Sequence, residues 1–211
     1  MANGAKVMPL HASRAGIYKR TPLSYLTGRH QSCLSHLLAL AVLWALTGIL
    51  FLHAQASPTE YQVKAAYLYN FGKFVEWPTR GTTSESSFNI CVLGQDPFGS
   101  TFGSTLGGEN IKGKSVLLKR IPKAQEAVGC HILFISSSEE PRLKEILAAL
   151  DKTSVLTVSD MPQFTRRGGM IQFVMDANRV RFEVNLTSAE RTGLTVSSQL
   201  LKVAISVRRS S

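Results

Sequence analysis

The residues able to do chemistry are few, and their spacing speaks against most of it. FNICVLGQDPFG, Phe88 to Gly99, is an apolar run entering a glycine-bearing turn, as at the phosphate end of a nucleotide-binding strand. A dinucleotide fingerprint needs G-x-G-x-x-G so that the backbone can approach a pyrophosphate. The turn here reads G-Q-D-P-F-G and lacks the close-approach glycine. A plain strand-end turn is expected, with Asp96 capping the next helix, and no phosphate loop. Of the five histidines, His11, His30, His36 and His53 fall within the first 56 residues, which leaves His131. One histidine makes no Cys/His cluster of metal-ligand spacing, and the acids are too scattered for an oxygen-ligand site. A Ser-His-Asp site would have to use His131, which sits inside the apolar run CHILFIS. No catalytic residue, metal or cofactor is expected.

The N-terminus decides the compartment. Residues 1–32 carry Lys6, Arg14, Lys19, Arg20 and Arg29 without an acid, and Leu37 to Leu52, LLALAVLWALTGILFL, follows without a charge. This run is shorter than the roughly 20 apolar residues that span a bilayer, and Ala54 and Ala56 form an A-x-A cleavage pattern. Residues 1–56 are therefore read as a signal peptide, long in its basic region and cleaved after Ala56, and residues 57–211 as a periplasmic domain. An uncleaved anchor is the alternative. Losing five basic residues and no acid lowers the formal net charge from +10 to +5, mild basicity rather than a nucleic-acid footprint. Arg166-Arg167 and Arg208-Arg209 read as solvated faces, though basic patches also suit an anionic membrane surface. Of Cys33, Cys91 and Cys130, the last two remain, in a compartment that oxidises thiols. A Cys91–Cys130 disulfide is expected, stabilising by about 4 kcal/mol through loop closure, with two buried thiols as the alternative.

The elements follow from periodicity. SPTEYQVKAAYLYNFGKFVEWP reads as a helix capped by Ser57 or Thr59, with Val63, Tyr67, Asn70/Phe71 and Phe74 inward. Glu60 and Lys64 form an i,i+4 pair on its outer face. Its aromatics, Tyr61, Tyr67, Tyr69, Phe71, Phe74 and Trp77, exceed one buried face, so they either complete the core or form a partner surface. Strands are expected at Phe88–Leu93, Ser115–Lys119, Cys130–Ser136 and Ser154–Asp160, with a short helix after Pro97, a helical turn at Lys123–Val128 and a helix over Glu139–Leu150. GGENIKGK is a turn-rich connection. Met170–Met175 and Val180–Asn185 form a hairpin around Asp176-Ala177-Asn178, with Val180, Phe182 and Val184 facing away from Arg179, Arg181 and Glu183. A helical turn at Ser188–Gly193 and a helix over Val196–Val207 close the chain. The alternation of short apolar strands with helices gives the fold class: one three-layer α/β domain, a mostly parallel sheet with helices on both faces and a late antiparallel hairpin. In such sheets ligands bind at the carboxyl ends of the strands, where Asp96, Ser136, Ser159 and Asp160 lie.

VKAAYLYNFGKFVEWP, FNICVLGQDPFG, CHILFIS followed by SEEPRL, LTVSD, GGMIQF, VRFEVN and SSQLLKVA occur in an order that resembles the YfiR-like family, from about Val63 to Ala204. The resemblance implies a periplasmic, dimeric, non-enzymatic protein. Such a protein binds the periplasmic domain of an inner-membrane diguanylate cyclase and represses it, lowering cyclic-di-GMP. Relatives beside other sensors make a histidine kinase or a transport component the alternative partner, while the polar residues at the strand ends leave a small-ligand-binding protein as the alternative role. By the same resemblance, Cys91 and Cys130 match the family's stabilising disulfide, while its second cysteine pair has no counterpart here. Glu183 and Arg191 would face the membrane partner, and Arg80 would join Arg181 or Arg191 in a basic pocket for a small anion.

Overall fold

The computed structural model describes residues 58–78 and 86–209, together with His36. The chain divides between Ala56 and Ser57, and the architecture below belongs to the second unit. The expected signal peptide and its cleavage site lie outside the described residues, as does Arg80. No helix among the described residues is long and apolar enough to cross a membrane.

Helix α1, Glu60–Phe74, starts with a reciprocal cap. Thr59 Oγ1 accepts from the Gln62 N–H at 3.3 Å, and Gln62 Oε1 accepts from the Thr59 N–H at 2.7 Å. Its buried face is Lys64, Ala65, Leu68, Phe71 and Gly72, which shares only Phe71 with the expected stripe. Val63, Tyr67 and Phe74 are half-buried at its margins and Asn70 is exposed. Close approach to the sheet selects the stripe that holds the small residues: a Cβ on Gly72 would lie 2.6 Å from Ile111 Cδ1. Large aromatics then flank the contact. Tyr61, Tyr67, Tyr69, Phe74 and Trp77 are partly buried and all pack against the core cluster, so the aromatics complete the core. Tyr67, Phe71, Phe173 and Phe182 make one aromatic nest, with ring centroids 5.1–5.9 Å apart.

The remaining elements are β1 (Val75–Glu76), β2 (Ser87–Leu93), α2 (Thr101–Leu106), β3 (Asn110–Ile111), β4 (Lys114–Ile121) and β5 (Ile132–Ile135). After these come α3 (Leu143–Leu150), β6 (Leu156–Ser159), β7 (Ile171–Asp176), β8 (Arg179–Asn185), α4 (Leu186–Arg191), β9 (Thr195–Val196), α5 (Ser198–Val203) and β10 (Ser206–Arg208). Eight strands form one sheet in the order β10-β8-β7-β6-β5-β2-β4-β3, and β1 pairs with β9 in a small antiparallel sheet. Only β3–β4 and β7–β8 are antiparallel within the large sheet, which bears out the predicted architecture. On one face α1 covers Ile90, Val92, Ile132, Phe134, Val158 and Phe173. On the other, α3 and a 3₁₀ turn at Ala124–Gly129 cover Cys91, Leu93, Leu133 and Ile135. The late hairpin turns through Ala177 and Asn178, both at positive φ, and buries Val180, Phe182 and Val184.

Several expectations need correction. The helix expected over Glu139–Leu150 is a 3₁₀ turn, Ser137–Arg142, running into α3, because Pro141 supplies no amide to an α-helical ladder. The helix expected over Val196–Val207 is cut short: α5 ends at Val203, and the chain leaves it to pair with β8 as β10. Asp96 does not cap α2. Its Oδ1 accepts from the Phe98 N–H at 2.8 Å and its Oδ2 binds Arg120 at 2.6 Å.

GENIKGKS, Gly108 to Ser115, does fit the spacing G-x-x-x-x-G-K-[ST], a match that reading the run as a simple connection passes over. A phosphate loop lies between a strand and the start of a helix. Here Lys112 and Gly113, both at positive φ, make the tight turn of the β3–β4 hairpin, and no helix follows. The run is a hairpin, and its architecture rules out the loop where its spacing does not.

Candidate functional site

Strand order reverses between β2 and β5: the chain goes from β2 to β4 on one side and returns to β5 on the other. A ligand crevice is expected at that switch point. The crevice is filled. Gly94 sits at φ 86°, and a Cβ there would lie 2.5 Å from Ser138 Oγ and 2.7 Å from Glu139 Cγ. The Gln95 N–H donates to Ser138 Oγ at 3.0 Å, and the Ser136 N–H donates to the Leu93 carbonyl at 3.0 Å. Ser136 Oγ accepts from the Ser138 N–H. Ser159 Oγ donates to the Ile135 carbonyl at 2.6 Å and accepts from the Met161 N–H at 3.1 Å. The polar residues predicted to greet a ligand thus tie the strand ends to each other.

Asp160, the fourth of them, has a different role. Lys64, which is 3% exposed, places its Nζ 2.6 Å from Asp160 Oδ2 and 2.5 Å from Glu60 Oε1. Lys64 therefore lies on the inner side of α1, not on its outer face, while Glu60 reaches it from an exposed position. The Tyr61 hydroxyl donates to the same Asp160 oxygen at 3.3 Å, and its ring lies under the ammonium at 4.5 Å. Burial opposes the charge on Lys64, but hydrogen bonds to Asp160 and Glu60 outweigh it and hold the ammonium above its ordinary value of 10.5. Burial, reinforced by Asp160, also raises the Tyr61 phenol. Beside this cluster a cleft of about 270 Å³ is lined by Pro162, Gln172, Phe173, Val174 and Met175 as well. A lysine in the stripe of Ala65 and Leu68 is the signal that could have revealed the cluster. Its main partner is 96 residues away and could not be read locally.

The charged residues assigned by resemblance lie toward the other side of the sheet. Glu183 on β8 is half-buried, and its Oε2 accepts from Thr165 Oγ1 at 3.2 Å. The Thr165 N–H donates to Gln172 Oε1 at 3.3 Å and its carbonyl accepts from Asn185 Nδ2 at 2.9 Å. Asn185 Oδ1 in turn caps α4 through the Ser188 N–H. Glu183 is thus part of a network that fixes the loop after β6 onto β7 and β8. Arg191, at the end of α4, is exposed and faces Asp151 at 3.5 Å. It lines a cavity of about 330 Å³ between α3 and α4, with Leu147, Leu150, Met170 and Ser188. The second arginine of that cavity is Arg167, held by Glu140 at 2.8 Å; neither Arg181 nor Glu183 lines it. Arg181 sits further along β8, opposite Val174. The basic pair brought together is therefore Arg167 and Arg191, and Arg167 was not anticipated.

Cys91 and Cys130 are bonded, with Cα atoms 5.9 Å apart, inside the apolar cluster under α3. His131 is half-buried, stacked on Phe88 with centroids 4.3 Å apart, and its Nδ1 accepts from the Asn89 N–H at 3.1 Å. Among the described residues no group of three His, Cys, Asp or Glu side chains is placed to hold a metal ion.

Residues 61–205 match the YfiR/HmsC-like family, and the chain belongs to it. That family is one of periplasmic regulators of cyclic-di-GMP signalling, regulatory rather than catalytic. Among solved structures, a conserved domain protein from Vibrio cholerae O1 biovar El Tor str. N16961 is similar in fold, with a TM-score of 0.52 at 11% identity. The match covers 72% of this chain, and this chain spans 62% of that one's length. An ABC domain from Streptococcus pneumonia, solved in complex with L-Trp, matches 59% of this chain and 56% of its own length at 12% identity. At a TM-score of 0.43 that likeness carries no argument.

Proposed function

We propose that this protein is exported, loses residues 1–56, and represses an inner-membrane signalling enzyme by binding its periplasmic domain. A diguanylate cyclase is the partner in the first instance, so that the protein lowers cyclic-di-GMP. The observation that carries this reading is family membership across nearly all of the region after Ala56. Repression of this kind needs a surface and a coupling free energy between bound and free states of the partner, typically about 1–3 kcal/mol. Glu183 and Arg191 supply charge for that surface, Glu183 on a rigid strand and Arg191 at a helix end. The protein acts as a homodimer on this reading. Deleting the gene in a host that retains its cyclases should raise cyclic-di-GMP, and a plasmid copy should restore it. Unchanged levels would overturn the proposal.

A second reading, a periplasmic small-ligand-binding protein, is favoured by the cavity between α3 and α4, whose apolar floor and two arginines suit a small organic anion. A thermal-shift screen of small carboxylates and phosphates tests it, and an Arg191→Ala variant should lose any shift found. A sensor kinase or a transporter would be recognised instead if mild crosslinking in envelope membranes captured one of them.

A further inference from the structure

We propose that the free edge of β10 is a docking strand, which takes up an extended segment of a partner protein with apolar and acidic residues in alternation. The inference deepens the proposed function, since it rests on the protein acting by contact. β10 ends the sheet and has β8 as its neighbour there. The Ile205 N–H donates to the Phe182 carbonyl at 3.0 Å. With a strand's period of two, Ile205 and Val207 turn their amides toward β8, and Ser206 and Arg208 offer their N–H and C=O groups to the outside.

Edges of sheets are ordinarily defended by charge, brevity or a cover, because open amides recruit other strands. This edge is short and basic, yet it also carries uncovered apolar side chains. Val203, just before β10, is 54% exposed, Ile205 42% and Val207 38%, three of the six large exposed apolar residues among those described. Val207 lies in register with Val184, on the α1 face, while Ser206 and Arg208 lie in register with Glu183 and Asn185, on the opposite face.

A strand laid beside β10 would meet two different surfaces. On the α1 face it meets Ile205 and Val207. On the other it meets Arg208, with Arg181 behind it on β8. Of the nearby acids, Glu183 is already engaged by Thr165. Alternating apolar and acidic residues complement both surfaces at once. A second copy of β10 would bring Arg208 and Arg209 of both chains onto one short ribbon. A lipid surface would leave the outward amides without partners.

The test uses the purified protein and two labelled peptides of about six residues, one alternating valine with glutamate and one alternating valine with lysine. The glutamate peptide should raise fluorescence anisotropy saturably, less so at high salt, and the lysine peptide should not. Ser206→Pro removes an outward N–H without touching the β8 ladder and should weaken binding about tenfold or more. Arg208→Glu should reverse the preference between the peptides. Melting midpoints equal to wild type show that both variants fold.

Equal binding of the two peptides, or no effect of either variant, overturns the proposal. So does sedimentation showing a dimer that Ser206→Pro dissociates, which would assign the edge to a second copy. Flotation with anionic vesicles in the absence of peptide binding would assign it to the membrane and equally overturn it. Loss of peptide binding leaves the cyclic-di-GMP test untouched, and an unchanged cyclic-di-GMP level leaves the peptide result standing, so the two failures are distinguishable.

Discussion

Opening the Cys91–Cys130 bond is expected to lower the melting midpoint by about 8–16 °C while leaving the fold in place. The bond joins residues 39 apart in sequence. In the unfolded chain it closes a loop of that length, which in the chain-entropy account is worth about 4 kcal/mol. A domain of this size moves by about 2–4 °C per kcal/mol, which gives the range stated. The native state loses little, because β2 and β5 are already paired from Ile90–Ile132 to Leu93–Ile135. Calorimetry should compare the oxidised protein with wild type unfolded in reductant and refolded there. That comparison isolates the link, whereas a Cys91→Ala/Cys130→Ala variant adds the cost of a cavity. Both cysteines are buried, so a reductant must wait for the structure to open. At high reductant the reduction rate should therefore level off at an opening rate. A midpoint difference below about 2 °C would refute the loop-closure reasoning. Reduction that keeps accelerating with reductant under native conditions would refute the assignment of a sealed, structural bond.

The other predictions concern named contacts. Lys64→Met leaves Asp160 beside an apolar stem and should cost about 3 kcal/mol by urea titration at pH 7. Because the folded protein holds both Lys64 and Tyr61 above their ordinary values, it binds more protons than the unfolded chain above about pH 10. Their stabilisation is complete below that pH and lost as pH rises through the raised values, so a Lys64→Met/Tyr61→Phe variant should show a flatter stability profile between pH 8 and 11. Gly94→Ala meets both the positive φ and the Ser138 hydroxyl and should destabilise by about 1–3 kcal/mol, with partial recovery on adding Ser138→Ala. Glu183→Gln keeps an acceptor for Thr165 and should change stability by less than about 0.5 kcal/mol. In cells the same variant should raise cyclic-di-GMP, if its charge serves the partner. Arg191→Ala breaks an exposed pair worth about 0–1 kcal/mol and should melt like wild type.

Much of the fold was legible because its signals are local. Short apolar runs at Phe88, Cys130 and Ser154, the stripe of Leu143, Ile146 and Leu150, and the Ala177-Asn178 turn between alternating strands each carry their own period. Two cysteines separated from the rest of the thiols by the expected cleavage site were enough to anticipate the disulfide. The candidate sites were less legible. Gly94, Ser136 and Ser159 have the composition of a ligand crevice, and only their mutual distances show that they seal it. Arg167 entered the cavity beside Arg191 through a loop whose course depends on Thr165 meeting Gln172 and Asn185.

The amino-acid order by itself determined which segments could bury one face or two, and hence an α/β sheet closed by a hairpin. Tertiary structure decided which face of α1 turns inward, whether Lys64 is a surface ion or a buried one, and whether Ile205 to Arg208 continues a helix or becomes an edge strand. The physical reason is the same in each case. Propensity and periodicity act over a few residues, whereas those outcomes depend on Asp160, Ile111 and Phe182, partners between 23 and 96 residues away that only the folded chain brings within reach.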